Sequence, residues 1–136
     1  MSTGTGIAPY IGFLQEMEYR KTQNQKVNPI VMLFGSKNKL YDFIYEDEIS
    51  KWKTENLIES LYLAFSRDQE KKLYIQNILI QNSEILKDAM SKGIIYVCGG
   101  VSMGHEVNLE LEKIFTKEGL KRKESENEYI KEFWGK

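Results

Sequence analysis

A chain of 136 residues, 41% of them hydrophobic and 29% charged, can bury one core, and it contains no run of apolar residues long enough to cross a bilayer. Nineteen basic against twenty acidic side chains leave a net charge of -1, so no overall field draws the protein to nucleic acid or an anionic membrane, and any anion site has to be local. The single Cys98 excludes an internal disulfide, and with one histidine beside it no cysteine- or histidine-rich metal cluster can form; a reducing, cytoplasmic setting without a signal peptide is expected.

In chain order, Met1 to Thr3 lead into Gly4-Thr5-Gly6, which reads as a turn joining a strand to a helix. So little chain precedes this turn that the first strand of the sheet is expected to be missing. A helix follows over Pro9 to Arg20, then a polar connection at Lys21 to Asn28 and a strand over Pro29 to Gly35. Acidic residues within Tyr41 to Glu48 complement the dipole of a helix over Tyr45 to Lys53. A second strand covers Ile58 to Ser66, a long helix Tyr74 to Met90 and a third strand Gly93 to Cys98. Beyond them lie a helix over Ser102 to Lys117, a surface connection over Lys117 to Glu128 and a last helix near Ser125 to Trp134. Strands alternating with helices predict a doubly wound α/β fold, one domain over residues 1–136, with a mostly parallel sheet and a ligand crevice at the strand C-termini.

Three segments carry residue types suited to a dinucleotide. Gly4, Thr5 and Gly6, with Pro9 preset for a helix's first turn, form either a plain strand-to-helix turn or a loop that lets backbone N–H groups approach a pyrophosphate. Ser66, Arg67, Lys72, Tyr74 and Gln76 crowd one strand exit, where they make either a solvated charged loop or a cradle for a phosphate monoester with an aromatic face for a base. In the segment Ile94 to Gly100, Cys98 closes the strand ahead of two glycines and is either an inert buried thiol or a residue facing a planar ring. Ser102 reads as a helix cap ahead of Met103 and Glu106, His105 as a surface residue, and Trp52 with the aromatics of Tyr41 to Glu48 as packing.

Taken in order, GTGIAPYIGFLQE, LFGSKN, DFIYEDEI, LAFSRDQEKKLYIQ and IYVCGGVSM resemble the successive motifs of the NADPH domain of diflavin reductases, which recurs in plant-type ferredoxin-NADP reductases. The resemblance covers Thr3 to about Lys117. It implies a ferredoxin-reductase-type NADP-binding fold, with the pyrophosphate at the loop of Gly4, Thr5 and Gly6 and the adenosine 2'-phosphate at Ser66, Arg67 and Lys72. Tyr74 and Gln76 would complete the adenosine site. Cys98 and Gly99 would lie beside the nicotinamide, Met103 near the ribose and pyrophosphate, and Glu106 at an acidic position contacting the cofactor. Hydride would pass from NADPH to the N5 of FAD. The FAD domain, an FMN domain of flavodoxin type and a haemoprotein or other redox acceptor are the expected partners, and the chain alone is expected to be inactive. Gly100 stands where most diflavin reductases carry an aspartate, which keeps open a ferredoxin-NADP reductase fragment or a non-catalytic nucleotide-binding module. The family also ends in an aromatic residue that stacks on the flavin; Trp134, assigned to the last helix, is not read as that residue.

Overall fold

Along Ile30–Ser36 the burial pattern is continuous through Met32, Leu33, Phe34 and Gly35, so neither face of this strand meets water and both have to be covered by other elements. A computed structural model describes residues 1–135 and leaves outside it Lys136, the last residue of the span expected as one domain. Among the described residues the strands are β1 (Ser2–Thr3), β2 (Ile30–Ser36), β3 (Ile58–Phe65), β4 (Ile95–Gly100) and β5 (Tyr129–Trp134). They form one sheet in the order β3-β2-β1-β4-β5, and every pairing is parallel.

The helices are α1 (Ala8–Thr22), α2 (Lys39–Asp42), α3 (Glu46–Thr54), α4 (Ile75–Gln81), α5 (Ser83–Lys92), α6 (Val101–Phe115) and α7 (Lys117–Ser125). Successive residues of a strand point to opposite faces, and the core divides accordingly. Met32 and Phe34 of β2 and Cys98 of β4 join Leu14 of α1 and Ile49 and Trp52 of α3 in one cluster. Leu33 of β2 and Val97 of β4 join Leu79 of α4, Leu86 of α5, Leu111 of α6 and Leu120 of α7 in the other. The result is the expected doubly wound, three-layer arrangement. No described helix is long and apolar enough to cross a membrane.

Four expectations are corrected. The position thought to lack a strand is filled by the two residues of β1, which lie centrally, Ser2 opposite both Phe34 and Cys98. Tyr10 of α1 helps to hold this short strand, its hydroxyl lying 2.7 Å from the Met1 carbonyl and 2.6 Å from that of Tyr96. The long helix over Tyr74 to Met90 is two helices, broken at Asn82, whose side chain donates to the Ile78 carbonyl at 2.9 Å. The polar stretch from Lys117 is not a surface connection but α7, capped by the Thr116 hydroxyl, which accepts from the Gly119 N–H at 3.2 Å. The last helix is β5, an edge strand that follows a left-handed turn at Asn127 (φ 57°), so Trp134 sits at a strand end.

Sheet order fixes where a ligand can enter. The chain winds from β1 outward through β2 to β3, then returns across the sheet to β4 and β5 on the other side of β1. The segments leaving β1 and β4 therefore diverge, and a crevice opens between them at the C-terminal strand ends.

Candidate functional site

A cavity of about 880 Å³ occupies that crevice. Its floor is the turn after β1. Gly4 adopts a left-handed φ of 53°, and a Cβ at the following Gly6 would stand 2.3 Å from the Cys98 carbonyl oxygen, so only glycine lets the turn close against β4. Pro9 sits in the first turn of α1, as its fixed φ favours. Thr3, Gly4 and Thr5 face the cavity, whereas Gly6 is buried behind them.

The exits of β2 and β3 form one wall. The Ser66 N–H donates to the Ser36 carbonyl at 2.9 Å and the Arg67 N–H to the Lys37 carbonyl at 2.8 Å, so the ladder between the two strands continues into their loops. Asp68 fastens the same loops through its two carboxylate oxygens, which accept from Asn38 Nδ2 and from the Lys39 N–H, each at 2.9 Å. Lys37, Arg67 and Lys72 all line the cavity, and no carboxylate forms an ion pair with any of the three among the described residues. The lining carboxylates are already engaged: Asp42 accepts from the Asn38 N–H at 2.8 Å, and Glu106 accepts from Gln76 Nε2, a contact that joins α4 to α6. Three lining cations against two carboxylates leave the lining net positive, which suits a phosphate.

Tyr74 stands just before α4, 41% exposed and on the cavity wall. Its backbone N–H is taken by the Asn77 side chain at 2.9 Å, which fixes the residue while the ring stays open to solvent. Two buried polar atoms of lining residues, Ser36 Oγ and Gln76 Oε1, have no protein partner. An orphaned buried donor or acceptor is destabilising, and a polar ligand in the cavity would satisfy it.

The third wall comes from β4, α6 and β5. Gly100, Ser102 and Met103 line the cavity together with Trp134. Gly99 lies against Thr3 and Met103, one residue behind this wall, and Cys98 lies deeper still, fully buried. The Cys98 thiol approaches Glu132 Oε2 of β5 at 3.8 Å. Burial, reinforced by the Glu132 charge, raises the thiol above its ordinary range, so it is neutral at neutral pH.

Of the residues singled out from the sequence, Gly4, Thr5, Ser66, Arg67, Lys72 and Tyr74 thus share one cavity with Gln76, Met103 and Glu106, while Gly6, Cys98 and Gly99 stand behind its walls. Lys37 and Glu132 were missed, and Trp134 was set aside as a helix residue. The β-prone residues Tyr129, Ile130, Phe133 and Trp134, soon after Asn127, were the signal for a strand that would have brought Glu132 and Trp134 into view.

Residues 1–108 match the profile of the family described as the oxidoreductase NAD-binding domain. The chain is 32% identical over 144 residues to an NADPH--cytochrome P450 reductase of Drosophila melanogaster, an alignment covering 96% of this chain and 21% of that protein. A protein of the same name from Emericella nidulans is 37% identical over 147 residues, again 96% of this chain and 21% of the relative. One from Aspergillus niger is 41% identical over 117 residues, 82% of this chain and 16% of the relative. The chain therefore spans about a fifth of the length of the relatives it matches. With the profile covering most of the chain and the sheet order and crevice in agreement, this protein belongs to the oxidoreductase NAD-binding domain family.

Proposed function

We propose that the crevice binds NADP(H) and offers its nicotinamide to a flavin carried outside this chain, as part of an NADPH-dependent flavoprotein reductase of diflavin type. The observation that carries the reading is the wall of Lys37, Arg67 and Lys72, none in an ion pair among the described residues, in the same cavity as the glycine turn. Pyrophosphate needs backbone N–H groups at a helix start, and a 2'-phosphate needs free cations; here both lie in one space.

In this reading Ser66, Arg67 and Lys72 hold the 2'-phosphate, Tyr74 stacks on the adenine, and Gly4, Thr5 and Gly6 receive the pyrophosphate. Gln76, Glu106 and Met103 line the path between them. Bound nicotinamide supplies a hydride to the flavin N5. Cys98 and Gly99 shape the floor under that ring from behind the cavity surface, so the thiol packs and does not attack. Glu132 adds a carboxylate beside Cys98, which favours the positive charge that the ring gains when hydride leaves. Trp134 ends the edge strand β5 and not a helix. At 43% exposure on the cavity wall, it takes the role of the aromatic that meets the flavin.

The names of the relatives favour a haemoprotein as final acceptor over a ferredoxin-NADP reductase fragment. FAD, FMN and the acceptor-binding surface would then belong to other parts of the parent protein.

A titration of the chain with NADPH and NADH, repeated on Arg67→Ala, tests the assignment. One charge-assisted hydrogen bond is worth about 1.5–3 kcal/mol, so the variant is expected to bind NADPH roughly tenfold to a hundredfold more weakly while NADH changes little. Equal or tighter binding of NADH by the unaltered chain refutes the 2'-phosphate site.

A further inference from the structure

Resting on the NADP(H) reading, we propose that Tyr41 is the second face of an adenine clamp whose first face is Tyr74. Nothing in the motif resemblance assigns Tyr41 a role, and the case comes from how the loop after β2 is built.

On that loop Phe43 points inward while Leu40, Tyr41 and Ile44 are exposed, and of these three only Tyr41 and Ile44 border the cavity. Phe43 is buried, stacked on Phe34 with ring centroids 5.4 Å apart and packed on Phe65 at 5.8 Å. Its neighbours Tyr41 and Ile44 are 77% and 72% exposed, and both line the cavity. Single exposed apolar residues are ordinary on a protein surface. Here, however, two of them border the same space, on a loop that is fixed at several points. Phe43 anchors it from below, Asp68 ties Asn38 and Lys39 to the β3 exit, and Asp42 accepts the Asn38 N–H at 2.8 Å. A rigid loop presenting a flat ring to a cavity is preorganised for stacking.

The occupant follows from what lies on either side. Lys37 at the root of the same loop and Arg67 at the adjacent strand exit supply the charge for a phosphate, and Tyr74 offers an exposed ring from the other exit. Two rings and a cation wall around one space match a phosphorylated purine nucleoside, whose base stacks on both of its faces.

The experiment is a calorimetric titration of the full chain with adenosine 2',5'-bisphosphate and with nicotinamide mononucleotide, on the unaltered protein and on Tyr41→Ala, Tyr41→Phe and Arg67→Ala. Stacking of one base predicts that Tyr41→Ala weakens the bisphosphate about tenfold, that Tyr41→Phe restores it and that the mononucleotide is unaffected by either. Because Tyr41 is mostly exposed, the fold is expected to survive the change, and unchanged circular dichroism with an unchanged melting temperature checks this. Bisphosphate affinity that falls in Arg67→Ala and is untouched in Tyr41→Ala overturns the clamp and leaves the NADP(H) reading standing; the loop would then be a surface for another part of the protein. An unaltered chain that fails to bind the bisphosphate overturns both.

Discussion

Cys98 shows how burial decides what a side chain can do. The sequence left open a thiol facing a ring or an inert buried thiol, since Ile94 to Gly100 has no cationic neighbour to settle the matter. In the fold the residue is 1% exposed, on the face of β4 that packs toward α1, and the Glu132 carboxylate lies 3.8 Å from its sulfur. Both burial and that negative charge hold the proton on sulfur. Alkylation of the native chain at pH 8 is therefore expected to run at least about tenfold slower than in the unfolded chain, since thiolate is the reacting species. Replacing Glu132 by Gln should bring the rate up. The sign for stability follows from the raised value: the folded state holds the proton more tightly than the unfolded one, so this contribution is complete below the ordinary thiol value of 9.0 and is lost as pH rises from there through the raised folded-state value. Rapid alkylation at neutral pH, read by mass spectrometry, would show instead an activated thiolate.

At the scale of elements, legibility followed burial. The strands β2, β3 and β4 announce themselves as apolar runs because both their faces are covered, and α1 and α6 as longer periodic segments ending in polar residues. The last third of the chain hides its structure for the converse reason. In α7 only Leu120 and Lys123 are buried, so there is no apolar stripe for a period to reveal, and the lysine is held by packing over Phe115 and an ion pair with Glu128 at 2.8 Å. Edge strand β5 keeps only Tyr129 fully buried and carries the charged pair Lys131 and Glu132 on opposite faces, so it reads poorly as a strand. With β5 read as a helix, Trp134 was set aside and Glu132, which lies against Cys98, was not singled out. The turn after β1 was legible from its glycines, and its geometry makes a sharp prediction. Alanine at Gly6 would set a methyl 2.3 Å from the Cys98 carbonyl oxygen, and backbone in the middle of a sheet has little room to yield. Gly6→Ala is expected to destabilise the chain by about 2 kcal/mol, seen as a drop of several degrees in thermal midpoint. An unchanged midpoint would mean that the turn and β4 are not packed as described.

For the molecule as a whole, the strand order β3-β2-β1-β4-β5 sets the cation wall and the wall of Gly100 and Trp134 on opposite sides of a two-residue central strand. The β2 and β3 exits carry Lys37 and Arg67, the β4 and β5 exits carry Gly100 and Trp134, and only the short β1 and its turn lie between them. Because β1 contributes just two residues of ladder, a ligand that touches the exits on both sides of it cross-links the sheet where it has least hydrogen bonding of its own. A ligand that binds the native state alone stabilises it by RT ln(1 + [L]/Kd), about 2.7 kcal/mol at a hundredfold excess over Kd. For 136 residues this corresponds to a rise of roughly 10 °C in thermal midpoint. NADPH is expected to give that rise and NADH at the same concentration a smaller one. The gap should narrow as salt is raised, because Arg67 and Lys72 are exposed and their attraction for the extra phosphate is screened. Equal shifts from the two nucleotides at low salt would show that the wall of free cations does not read the 2'-phosphate, and the reading of the crevice as an NADP(H) site would fall with it.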